Sequence, residues 1–128
     1  MSQILLIDDN PLQLSVRETV LRNAGLTVCV ATTAESALAT MRVMSERISL
    51  VITDHIMPGR NGAQFVRALR QEKMDVPVIV LSGLPEAEDE YGGLDVIFRQ
   101  KPVPPPELIA LVRATIAGGS GQDLAGAA

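Results

Sequence analysis

Apolar and polar residues along this 128-residue chain are distributed in blocks of two alternating kinds. Short runs rich in β-branched residues stand at Ile4 to Ile7, Leu26 to Ala31, Leu50 to Thr53, Val76 to Leu81 and Val96 to Phe98. Polar positions scarcely interrupt them, as in strands covered on both faces. Between the runs, apolar residues recur at helical spacing. Leu12, Val16, Val20 and Leu21 form a first stripe, with Asn10 as its cap and Pro11 at the first helical position. Ala34, Ala37, Leu38 and Met41 form a second, opened by Thr32 with Glu35 three residues on, a capping-box spacing. Phe65, Val66 and Leu69 make a third, and Leu108, Leu111, Val112 and Ile116 the last.

The fourth helical slot is the odd one. Pro85 to Gly93 is short and acidic and ends in Gly92-Gly93, leaving room for a turn or two, so this region is expected to be mobile. Beyond Gly118 the composition becomes that of a linker, which predicts one ordered domain over residues 1–118 and a flexible tail over 119–128. There is no internal repeat.

Strands alternating with helices predict an α/β domain, a doubly wound parallel sheet with helices on both faces. In such sheets ligands bind outside the carboxyl ends of the strands. The polar residues at those ends are Asp8 and Asp9 after the first strand, Asp54 after the third, Ser82 after the fourth and Lys101 after the fifth. If the first and third strands are neighbours, three carboxylates converge on one small space. Their mutual repulsion asks for a divalent cation, and that combination points to phosphoryl chemistry. Singly, each residue also has a plain reading: an Asp after a strand caps the next helix, and a Ser before Gly is ordinary loop chemistry. Together they form a constellation at one edge of the sheet.

Composition narrows the class. Apolar residues make up 47% and aromatic residues 2%, so the core must be built from Val, Ile, Leu, Ala and Met. A net charge of −4 leaves no electrostatic footprint for nucleic acid or a membrane surface. The single Cys29 reads as a small buried hydrophobe with no disulfide partner. No apolar run approaches the roughly 18 residues of a membrane span and no charged leader precedes one, so the expected setting is the cytoplasm.

Four motifs in this order resemble the receiver domain of two-component response regulators, the family of the chemotaxis regulator. They are Asp8-Asp9, Asp54-x-x-Met57-Pro58-x-x-Asn61-Gly62, Ser82-Gly83 and Lys101-Pro102, and the resemblance covers roughly residues 2 to 117. It implies a flavodoxin-like sheet with strand order 2-1-3-4-5. Asp54 would accept a phosphoryl group as an aspartyl phosphate. Mg²⁺ would be held by Asp9, Asp54 and the backbone carbonyl of Ile56, with Asp8 acting mostly through water. Lys101 would pair with a phosphoryl oxygen as a point charge, and its bond to Pro102 would be cis. Ser82 would donate to another phosphoryl oxygen, drawing Phe98 inward and biasing a two-state surface. Met57, Pro58 and Gly62 would shape the loop. The implied partners are a histidine kinase or histidine phosphotransfer protein as donor and a downstream protein target, with no direct nucleic acid or membrane partner. Such a chain is a signalling phosphoacceptor that assists its own modification, not a turnover enzyme. His55 reads as an exposed loop residue, and the Arg-rich stretch from Arg60 to Arg70 as a solvated helix face.

Three departures stand out. The fourth helix is short, with Gly92-Gly93-Leu94 where a Gly-Ala pair is usual, which puts the family's usual output surface in doubt. Ile56 and Leu84, which would flank the phosphoryl group, are aliphatic and cannot orient a water, so a long-lived phosphoryl group is expected. The residues after Gly118 cannot form a DNA-binding helix pair, so a stand-alone receiver or the receiver of a hybrid kinase is expected. Rival readings are weaker. A haloacid-dehalogenase-type phosphatase would need Asp-x-Asp after the first strand, and an FMN-binding module would need a hydroxyl-rich phosphate loop and stacking aromatics. A degenerate receiver used as a phosphorylation-independent scaffold is at odds with the intact acidic set.

Overall fold

The structure is a computed structural model and describes residues 2–127. In chain order the elements are β1 (Gln3–Ile7), α1 (Pro11–Asn23), β2 (Val28–Ala31), α2 (Ala34–Met44), a 3₁₀ turn (Ser45–Arg47), β3 (Ile48–Asp54), α3 (Gly62–Gln71), β4 (Val78–Ser82), a 3₁₀ segment (Pro85–Tyr91), β5 (Ile97–Gln100) and α4 (Pro105–Ala127). The five strands form one parallel sheet in the order β2-β1-β3-β4-β5. This is the doubly wound parallel sheet that the alternation of strands and helices predicts, in the flavodoxin-like order that the resemblance implies.

The sheet divides the core in two, following the two-residue period of its strands. Leu5, Ile7, Val51 and Val80 face one way and pack with Leu38 and Met41 of α2 and Phe65, Val66 and Leu69 of α3. Ile4, Leu6, Leu50, Ile52, Ile79 and Leu81 face the other way, against Leu14 and Leu21 of α1 and Leu108 and Val112 of α4. Among the described residues, Phe65 is the only aromatic residue buried completely, so aliphatic interdigitation fills most of both layers. Cys29 is half-buried beside the first layer.

Local chemistry sets the helix starts. The Asn10 side chain accepts from the backbone N–H groups of Leu12 and Gln13, with Pro11 just inside the helix. Such a cap is worth about 1 kcal/mol. The cap of α2 is Thr33 rather than Thr32, its hydroxyl accepting from Ser36 N at 3.0 Å, so the Thr32–Glu35 box does not form. The reciprocal box is at α3 instead, where Asn61 and Gln64 each satisfy the other's backbone N–H.

The first stripe differs from expectation, the fourth helical slot is as short as expected, and the last helix runs past the expected start of the tail. The first stripe is rotated: Leu12 and Val16 are 74% and 54% exposed, while Leu14 and Leu21 are buried. Arg17 lies between those two at spacings of three and four, on the face that packs against the sheet. The fourth helical slot is filled by one seven-residue 3₁₀ segment, with Ala87 and Tyr91 buried. The last helix has backbone helical geometry through Ala127, past Gly118, where a tail was expected to start. Ala128 lies outside the described residues.

Candidate functional site

Strand register assembles the site. Ile7 pairs with Thr53, which sets Asp8 level with Asp54 at the carboxyl edge. Asp54 pairs with Leu81 and Ser82 with Gln100, so Lys101 begins one residue beyond the edge. A backbone hydrogen bond from Lys101 N to Ser82 O, 2.7 Å, fixes that step. The Lys101-Pro102 bond is cis, as the resemblance implies.

The three carboxylates do meet. Asp8, Asp9 and Asp54 each offer an oxygen, and the three oxygens lie within 4.8 Å of one another. Asp8 and Asp54 are buried, at 1% and 4% exposure, whereas Asp9 is exposed. Lys101 Nζ lies 2.8 Å from Asp54 Oδ1, and its side chain is 29% exposed. Burial, reinforced by the neighbouring Asp54 carboxylate, pushes the Asp8 carboxyl up to about 6, against the pull of the Asn10 N–H and the Arg17 charge. Carboxylate oxygens in this number and spacing suit a hard divalent cation that keeps some of its waters, such as Mg²⁺.

One participant has no counterpart in the sequence reading. Arg17 Nη1 donates to Asp8 Oδ2 at 2.8 Å and to Asp54 Oδ1 at 3.1 Å, so one nitrogen bridges the two buried carboxylates. The signal was present in Leu14-x-x-Arg17-x-x-x-Leu21, a cation on the helix face that packs inward. It was masked because Leu12, Val16 and Val20 suggest a different face.

Ser82 is buried, yet its hydroxyl is turned to its own loop, accepting from Leu84 N at 2.9 Å and approaching Leu84 O at 3.2 Å. Among the described residues, no hydrogen bond joins it to Asp54. Ile56 and Leu84 expose 63% and 41% of their surface, while Met57 packs into the core under the loop. Gly59 takes a positive φ of 78°, which places the turn after Pro58. Gly62 N donates to His55 O at 2.7 Å and closes the loop.

His55 is not the exposed loop residue its position suggests: it is 5% exposed. Its Nδ1 lies 2.7 Å from the Tyr91 hydroxyl and its Nε2 3.2 Å from Glu90 Oε2. Tyr91 in turn packs on Phe98, ring centroids 5.8 Å apart, with Phe98 half-buried. Sequence reasoning missed Tyr91 and Glu90 because the segment they occupy looks like an acidic loop. The Ala87/Tyr91 spacing was the available hint. The stretch from Arg60 to Arg70 is not uniformly solvated either, since Arg70 donates to four backbone carbonyls.

Comparison with known proteins agrees with this geometry. A family model described as the response regulator receiver domain matches residues 4–113. The DNA-binding response regulator MtrA of Mycolicibacterium smegmatis is 33% identical over 117 residues, covering 89% of this chain and 50% of the relative. The transcriptional regulatory protein CpxR of Escherichia coli is 34% identical over 119 residues, covering 91% and 50%. Among solved structures, a response regulator receiver domain protein from Clostridium thermocellum superposes with a TM-score of 0.85 at 24% identity, covering 94% of this chain and 98% of that one. This chain spans between 17% and 50% of the length of the curated relatives it matches first. Among the described residues, no helix is long and apolar enough to cross a membrane.

Proposed function

Because the chain belongs to the response regulator receiver family, we propose that it is a phosphoacceptor signalling module whose acceptor is Asp54. The observation that carries this reading is the environment of that side chain. Asp54 is buried at the end of β3, with Lys101 Nζ at 2.8 Å and the Asp8 and Asp9 oxygens within 4.8 Å.

Each residue then has a physical task. Lys101 meets Asp54 at Oδ1, which leaves its second oxygen uncommitted to that cation and suited to attack phosphorus. In that attack the new O–P bond forms as the donor's bond to phosphorus breaks, and the departing donor group keeps the electron pair and takes up a proton. Lys101 neutralises charge on the incoming group. Asp9, Asp54 and the Ile56 carbonyl would hold Mg²⁺, with Asp8 at longer range. The ion, when bound, offsets the negative charge that gathers between carboxylate and phosphoryl oxygens. Ser82 must release Leu84 to reach a phosphoryl oxygen, and that rearrangement would be passed to Phe98. The donor is a histidine kinase or histidine phosphotransfer protein and the reader a downstream protein target. We assign the receiver to residues 1–118, with 119–128 outside it.

The test is direct. The protein is incubated with Mg²⁺ and a small-molecule phosphoryl donor, and intact mass is read. One added phosphoryl group in wild type and none in Asp54→Ala supports the proposal. No gain with several donors and a histidine kinase overturns it in favour of a scaffold that works without phosphorylation, a reading the intact acidic set does not favour.

A further inference from the structure

Arg17 is the residue that the proposed function leaves without a task. It is a cation on the packed face of α1, with a side chain only 16% exposed, and its Nη1 rests between two buried carboxylates. Buried charges are tolerated only when paired, so Arg17 offsets the repulsion between Asp8 and Asp54. That is the role a divalent cation has in the same space.

The two roles conflict on geometry and on charge. A Mg²⁺ ion draws its oxygens to about 2.0–2.1 Å and holds waters at its remaining positions. The guanidinium N–H holds Asp8 Oδ2 and Asp54 Oδ1 at 2.8 and 3.1 Å and fills the gap between them. Arg17 and Lys101 together already balance two of the three carboxylates, so a divalent ion added to both would leave the site with excess positive charge. One cation has to give way. Arg17 has somewhere to go, because it lies on the wall of a cleft of about 340 Å³ between α1 and the start of α4, with Val16, Val20, Val103 and Leu108 around it. Its aliphatic stem fits against those side chains while the head reaches water.

We propose that the Arg17 guanidinium is the resident counter-charge of the acidic site and that a divalent cation binds only by displacing it from between Asp8 and Asp54. Arg17 thereby sets how much divalent ion the site requires. The inference rests on the proposed cation site and adds a competitor to it.

The probe is Mn²⁺ alone, titrated into wild type, Arg17→Met, Arg17→Lys and Asp54→Ala, with free ion read from its electron paramagnetic resonance signal. Arg17→Met keeps much of the stem and removes the charge, and is expected to bind at least tenfold more tightly than wild type, about 1.4 kcal/mol. Arg17→Lys is expected to fall between the two and serves if the Met variant does not fold, as judged by circular dichroism. Equal or weaker binding in a folded Arg17 variant overturns the inference while leaving the cation site intact. No binding in wild type or either Arg17 variant, or binding undiminished in Asp54→Ala, removes the cation site itself and this inference with it. A second readout needs no variant. The Arg17 Nε–Hε resonance of ¹⁵N-labelled wild type is expected to move to a solvent-exposed, fast-exchanging position as Mg²⁺ is added. If Mg²⁺ saturates the site while that resonance stays unchanged, the displacement does not occur.

Discussion

The Nδ1 atom of His55 and the hydroxyl of Tyr91 lie 2.7 Å apart, joining the residue after the proposed acceptor to the last residue of the 3₁₀ segment. The rings meet edge to face, with centroids 5.5 Å apart. The contact anchors that segment to the end of β3, and it sits beside Phe98.

Tyr91→Phe keeps both ring contacts and removes only the hydroxyl, leaving buried His55 one partner short. The expected loss is about 1–3 kcal/mol in urea unfolding. Amide exchange across Pro85 to Gly93, already expected to be fast, should quicken further in the variant. Uniformly slow exchange there in wild type would sink the expectation of mobility.

Burial first, then the charges of Glu90 and Asp54, pushes the Tyr91 phenol up from its ordinary value near 10. The sign follows from linkage. The folded state holds the phenolic proton more tightly than the unfolded state, so stability is unaffected below about pH 10 and falls as pH rises above it. Tyr91 is the only tyrosine and there is no tryptophan, so absorbance near 295 nm reports it alone. Ionisation is expected to coincide with alkaline unfolding; a titration near 10 in the folded protein would contradict it.

Gly62 is required by close approach. A Cβ added there would press on the Tyr91 hydroxyl and on the Asp54 carbonyl oxygen, the latter at 2.8 Å. Backbone cannot yield as a side-chain tip can, so Gly62→Ala should destabilise by about 1–3 kcal/mol, read as a shifted urea midpoint at unchanged slope.

Arg70 acts as a clamp. Its guanidinium donates to the carbonyls of Leu94, Met74, Val76 and Asp95, tying the end of α3 to the approaches of β4 and β5. An ammonium cannot reproduce that planar fork, so Arg70→Lys is expected to cost about 1–3 kcal/mol in thermal or urea unfolding despite equal charge. A wild-type midpoint would show that the clamp contributes nothing.

Ile56 bears on the lifetime of the modified state. Its side chain stands exposed beside the proposed acceptor and has no polar group to orient an attacking water. Ile56→Asn is expected to lose the phosphoryl group several-fold faster than wild type, followed by intact mass after the donor is removed. Equal loss rates would count against a shielding role.

Much of this protein was legible one residue at a time. Strand runs ending in Asp8, Asp54 and Ser82, with Lys101 just past the fifth, identified the sheet, its carboxyl edge and the cluster there, because strand and helix periods are properties of neighbouring positions. What tertiary structure alone decided is which side chains share a space. The rotation of α1 about its axis turned Leu14, Arg17 and Leu21 inward and left Leu12 and Val16 in water, against the plainest apolar stripe. The docking of an acidic seven-residue segment buried His55 between Tyr91 and Glu90. Such pairings depend on register and helix rotation summed over the whole core, which no local pattern encodes. They also made Arg17, a residue with no motif of its own, the cation that bridges the two buried carboxylates.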